Sequence, residues 1–142
     1  MSEYHALKTE YKDRDELVAA LGEMGYNEVE VHENPQQLID YRGNKTTYLD
    51  KTGDKAHIIV RRKFVGGAAN DLGFKKSEDG SYSAIVSEYD SGKHNTGWFN
   101  KLRGHYTEKV TIKAAAKQGF KYLGKKVVGN KVKLQWLDTR SK

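Results

Sequence analysis

Apolar residues fall at helical spacing in two places along the chain and at strand-like spacing in most of the rest. After a short apolar stretch from Tyr4 to Tyr11 comes Asp13-Arg14-Asp15-Glu16. There, Asp13 is suited to cap the first amides of a helix, and Glu16 to complete a capping box. Leu17, Val18, Leu21 and Met24 then share one helical face, and Gly25 is placed to end the helix in the left-handed conformation. The pattern repeats near the other end. A helix is predicted from Asn95 or Thr96 to about Gln118, with Trp98, Phe99, Leu102, Tyr106, Val110 and Ala114 as its apolar stripe. Gly119-Phe120 closes it as Gly25-Tyr26 closes the first.

Between the helices the period shortens. Val29 to Val31, Gln37 to Tyr41, Thr46 to Leu49, Ala56 to Lys63 and Tyr82 to Tyr89 read as strands of an antiparallel meander, with Asp79-Gly80 as a turn. Val65 to Asn70 is small and glycine-rich, which predicts an unpacked loop. Lys121 to Leu137 reads as a hairpin turning at Gly129-Asn130. That turn sets Val127 opposite Val132, Lys125 opposite Leu134 and Leu123 opposite Trp136, and gathers Lys126, Lys131, Lys133 and Gln135 on the other face. The expected class is α+β: one domain over residues 1–142, an antiparallel sheet with two helices packed on one face. The opposite sheet face must meet solvent, another subunit or a partner.

Composition changes this picture mainly through charge. The 142 residues carry a formal net charge of +6. Residues 1–90 hold 12 basic and 17 acidic side chains, while residues 91–142 hold 13 basic and two acidic ones, Glu108 and Asp138. A polycationic final third attracts anions through a field that salt screens, unless the acidic first part folds against it. The chain has no Cys, so disulfides, thiolate zinc sites and Cys nucleophiles are excluded. No apolar run is long enough to span a bilayer, and Met1-Ser2-Glu3-Tyr4-His5 is unlike a signal peptide. A soluble, cytoplasmic protein without membrane association is expected.

Catalytic patterns are weak. His5, His32, His57, His94 and His105 lack metal-site spacing, and neither Gly66-Gly67 nor Gly124-Lys125 completes a phosphate-binding loop. Glu28, Glu30 and Glu33 read as a solvated strand edge. The expectation is a non-enzyme with no metal and no cofactor.

The order of short motifs resembles the family of hypothetical chloroplast open reading frame thirty-five, found in cyanobacteria and algal plastids with relatives in other bacteria. The motifs are Ser2, Tyr4 and Leu7-Lys8-Thr9; Leu17 to Leu21 with Gly25-Tyr26; Tyr41-Arg42-Gly43; Ile58-Ile59-Val60-Arg61; and Asp71-Leu72-Gly73-Phe74 with Gly80-Ser81-Tyr82. Most specific are Phe99-Asn100-Lys101-Leu102, Tyr106, Ala116-Lys117-Gln118-Gly119-Phe120 and Lys133-Leu134-Gln135. The chain departs from the plastid pattern in lacking a tryptophan-rich run between Phe74 and Gly97 and in its strongly basic end, which fits a bacterial or bacteriophage relative equally well. The resemblance implies a domain of unknown function and no catalytic residues.

Function is therefore sought in the basic residues. Lys101, His105, Lys109, Lys113 and Lys117 recur every four positions on the second helix, forming a drifting ridge, with Arg103 off it. The expected anion-binding residues are Lys101, Arg103, Lys109, Lys113 and Lys117, supported by Lys126, Lys131 and Lys133, docking onto nucleic acid, a ribonucleoprotein or an acidic protein. Trp98, Tyr106, Tyr122 and Trp136 are candidates for base stacking, but their positions favour core packing. The alternative is a protein–protein assembly subunit or adaptor, a viral one included, with a homo-oligomer as one form. It would join neighbours through an open sheet face or edge, with Ile58, Val60, Ile85 and Val86 near the interface.

Overall fold

The computed structural model describes residues 3–129 and 131–140. It shows the α+β architecture. Strands β1 (Tyr4–Lys8), β2 (Glu30–Gln37), β3 (Lys55–Val60), β4 (Leu72–Lys76) and β5 (Tyr82–Ser87) form an antiparallel sheet in the order β1-β5-β4-β3-β2. Helices α1 (Arg14–Glu23) and α3 (Thr96–Lys117) pack beside it, α2 (Arg62–Val65) is a single turn, and β6 (Phe120–Val128) with β7 (Lys131–Asp138) makes a separate two-stranded ribbon.

The two long helices lie where the apolar spacing put them. Leu17, Ala20 and Leu21 of α1 and Leu102 and Tyr106 of α3 are buried against Ile58, Val60, Leu72, Phe74, Ala84 and Val86 on one sheet face. Ile58, Val60 and Val86 are thus core on the helix side, and Ile85 is buried on the other face, so these four are not open to a neighbour. That second face is itself covered in part: Tyr4, Leu38, Ala56, Ile59 and Ile85 form a second buried cluster. Leu38 reaches over Gly73, where an added Cβ would stand 2.7 Å from Ala56 Cβ and 3.0 Å from Leu38 Cδ2, so only glycine admits this approach.

Several local expectations are corrected. Of the strand expected from Gln37 to Tyr41 just Gln37 belongs to a strand, as the end of β2, and Thr46 to Leu49 is not one; beyond β2 an isolated bridge joins Ile39 to Lys45. The buried Asp54 carboxylate instead accepts the amides of Tyr48, Leu49 and Asp50, so a side chain holds this segment where a ladder was expected. Val65 to Asn70 is not unpacked, since Val65, Ala69 and Asn70 are all buried. Asp13 occupies the N-cap of α1 without capping it through its side chain. The amides of Lys12 and Asp13 donate instead to the Tyr106 hydroxyl at 2.9 and 3.0 Å, which ties the start of α1 to α3. Glu16 does not close a capping box; it pairs with Lys113. Gly25 and Gly119 have φ of +102° and +90°, the left-handed helix ends their positions required.

The α3 stripe ends early. Trp98, Phe99 and Val110 are partly buried against the core, whereas Ala114 is exposed, so the last turns of the helix leave the body and carry the ribbon.

Candidate anion-docking surface

The ribbon follows directly from α3, because Gly119 reverses the chain and Thr139 returns to donate its amide to the Gly119 carbonyl at 2.8 Å. Val127 pairs with Val132 and Lys125 with Leu134, as the turn predicted. The turn residue Asn130 lies outside the described residues. The third expected pair does not form, because the register shifts between Tyr122 and Gly124 and brings Tyr122 opposite Trp136, with their ring centroids 5.3 Å apart. Side chains alternate along a strand. One ribbon face therefore carries Lys121, Lys126, Lys131, Lys133 and Gln135 together with the exposed Val128 and Leu137, and Lys126 lies directly opposite Lys133. The other carries Tyr122, Trp136, Lys125, Leu134, Val127 and Val132.

These faces differ in how they are satisfied. On the second face, near α3, Lys125 Nζ lies 3.1 Å from a Glu108 carboxylate oxygen, and Tyr122 donates to the other oxygen at 3.4 Å. The hydrogen bond to Glu108 raises the Lys125 ammonium above its usual range. Further out, Val127 and Val132 are 67% and 58% exposed, so nothing among the described residues covers them. On the first face Lys121, Lys126, Lys131 and Lys133 are exposed, and none has a carboxylate partner among the described residues.

The helical ridge is different. Lys113 pairs with Glu16 at 3.2 Å and Lys109 with Glu23 at 3.3 Å, both acids coming from α1, while Arg103 approaches Glu10 at 3.7 Å. The Glu16 hydrogen bond raises the Lys113 ammonium, and the Lys109 hydrogen bond lowers the Glu23 carboxyl. These three cations of the helix, Arg103, Lys109 and Lys113, thus face acids from the first part of the chain. Glu16 and Glu23 stand seven apart on α1 while their partners stand four apart on α3, so the packing of the two helices and not a shared spacing brings them together. Lys101 and Lys117 are exposed without a carboxylate partner among the described residues. Sixteen residues of helix set them about 24 Å apart, toward opposite ends of α3.

Other chemistry is sparse. A depression of about 880 Å³ between β1 and α3 is lined by Leu7, Tyr11, His94, Phe99 and Arg103 among others. His94 is buried, its Nε2 meets the Tyr26 hydroxyl at 2.9 Å, and burial pushes its imidazole down to about 4. Glu3, His5 and Glu88 bring their ligand atoms within 4.8 Å of one another through the β1–β5 pairing, but all three are exposed. Glu30 is held by Arg61 through two hydrogen bonds, which lower its carboxyl, so it is not part of a free acidic cluster. Of the stacking candidates, Tyr106 is buried, and Trp98, Tyr122 and Trp136 are half-buried.

No helix among the described residues is long and apolar enough to cross a membrane. Comparison finds no matching curated protein and no matching solved structure. A family model does match, over residues 20–131, from the middle of α1 through the ribbon turn. The chain therefore belongs to the family described as Protein of unknown function (DUF1257).

Proposed function

We propose that this chain is a small non-catalytic binding module that docks onto an anionic macromolecule. Within its family we place it beside hypothetical chloroplast open reading frame thirty-five, whose motif order it shares. The observation that supports docking is the ribbon face on which Lys121, Lys126, Lys131 and Lys133 stand together without carboxylates among the described residues. Cations placed directly opposite one another destabilise a two-stranded sheet, so their presence asks for a compensating partner. Lys101 and Lys117 add positive field at a distance, while Lys109, Lys113 and Arg103 contribute little because α1 and Glu10 already answer them.

Titration of labelled nucleic acid with the full chain at two salt concentrations tests the reading. Binding that weakens steeply with salt is expected, and Lys126→Glu with Lys133→Glu should reduce the slope of log K against log salt by about 0.9 for each phosphate that the variant no longer neutralises. Absence of binding to any polyanion at low salt rejects it.

A second reading, an adaptor that pairs through a sheet edge, draws on β1. The amide of Glu88 donates to the Glu3 carbonyl, so by antiparallel alternation the backbone groups of Ala6 and Lys8 point to the open side. A stable oligomer by size exclusion with light scattering, in the absence of nucleic acid, would favour that reading.

A further inference from the structure

The ribbon's shape narrows the class of partner. Resting on the docking reading above, we infer that the occupant of the lysine face is duplex DNA, with the β6–β7 ribbon seated in the major groove. The cations lie on the flat of the ribbon and not along its edges. An acidic peptide adding to either edge as a third strand would run beside that face without covering it. A concave anionic groove wide enough to admit two paired strands meets Lys121, Lys126, Lys131 and Lys133 together and encloses the ribbon as well. Two strands lie about 4.8 Å apart, and the major groove of B-form DNA is about 12 Å wide and admits a two-stranded ribbon.

The alternatives within nucleic acid fit less well. Unpaired strands are held by exposed aromatic rings on which bases stack. Here Tyr122 and Trp136 lie on the opposite face, half-buried and packed on each other. A-form RNA has a deep, narrow major groove that side chains cannot read. The part of the ribbon beyond the Glu108 pairing runs through Lys126 to Val128 and back from Lys131 to Lys133. Its free valines show that nothing among the described residues covers the tip. Lysine ammonium groups on the inserted face suit guanine O6 and N7 as well as the flanking phosphates, and Gln135 on the same face suits adenine N6 and N7.

Fluorescence anisotropy with the full chain tests this. The probes are a mixed-sequence DNA duplex of about 20 base pairs, one of its strands alone, the RNA duplex of the same sequence, and polyglutamate. The expected result is that the DNA duplex binds about tenfold or more tighter than each of the others. N7-methylation of its guanines should weaken binding, and a minor-groove ligand should not displace the protein. Lys126→Thr with Lys133→Thr should lower duplex affinity about tenfold, whereas Val127→Thr on the opposite face should leave it unchanged. The N7-methylation arm uses the unaltered protein and so does not depend on a variant folding. Equal or tighter binding to single strand, RNA duplex or polyglutamate overturns the inference while leaving anion docking intact. Indifference to N7-methylation or displacement by the minor-groove ligand overturns it likewise. No binding to any of the four probes overturns both readings.

Discussion

At the residue scale, the polar side chains that hold this fold are buried ones with several partners each. Asp71 is 1% exposed and accepts from the amides of Ile39 and Arg62 and from Arg61 Nη1, at 2.7 to 2.8 Å. Its own carbonyl accepts from the Tyr4 hydroxyl at 2.9 Å. Asp71→Ala leaves the Arg61 guanidinium and two amides without that acceptor, and should cost about 3–5 kcal/mol in urea unfolding. His94 works through its titration. Folded, its imidazole is pushed from 6.5 down to about 4, first by burial and then by Lys93. Between those values the unfolded chain binds a proton that the folded chain refuses, so stability falls as pH drops, by at most about 1.4 kcal/mol per pH unit. The loss is complete below the folded value. His94→Phe keeps a ring in place and should flatten this part of the stability profile, read by denaturant midpoints at a series of pH values. Neither role is visible in the sequence. Asp71 sits beside a stretch that gives no clear strand signal, and a lone histidine gives no sign of its burial.

At the element scale, the ribbon trades stability for charge. Replacing Lys126 and Lys133 by Thr removes a like-charged opposed pair and should stabilise the ribbon by about 0.2–1 kcal/mol, seen as slower amide exchange in β6 and β7. On the docking reading the same change should weaken polyanion binding, which separates a docking role from a structural one. Both long helices, the glycines that end them and the outer ribbon register are legible in the chain, because spacing alone fixes which residues share a face. The strands are less so. β1 and β4 give no clear signal, since Tyr4–Lys8 interrupts its apolar residues with His5 and Lys8, and Leu72–Lys76 includes a glycine that serves packing. The bulge at Leu123 is hidden as well. A one-residue insertion moves partners without altering the local pattern, and it is what puts Tyr122 against Trp136.

At the scale of the whole molecule, the first part of the chain answers some of the last part's charge and leaves the rest. The α1–α3 seam holds Lys109 and Lys113, and Glu16 in that seam is only 14% exposed. Glu16→Gln with Glu23→Gln should release both lysines, raise affinity for polyanions and steepen its salt dependence, with a modest loss of thermal stability, because Lys113 and Glu23 are half exposed and glutamine keeps an acceptor oxygen in place. Anisotropy titrations beside a melting curve would show both effects. Net charge by segment is legible from composition; its cancellation is not, because the α1 acids meet the α3 lysines only after both helices pack on one sheet. The same long reach governs the order in which the sheet is completed. β1 precedes the other strands in the chain, yet among the described strands it neighbours β5 alone, and Tyr4 aligns with Ser87. A nascent chain must therefore carry β1 unpaired until residue 87 has cleared the ribosome, while β2 to β5 can zip up as successive hairpins. Arrested synthesis before that point would leave the leading strand with no place to dock.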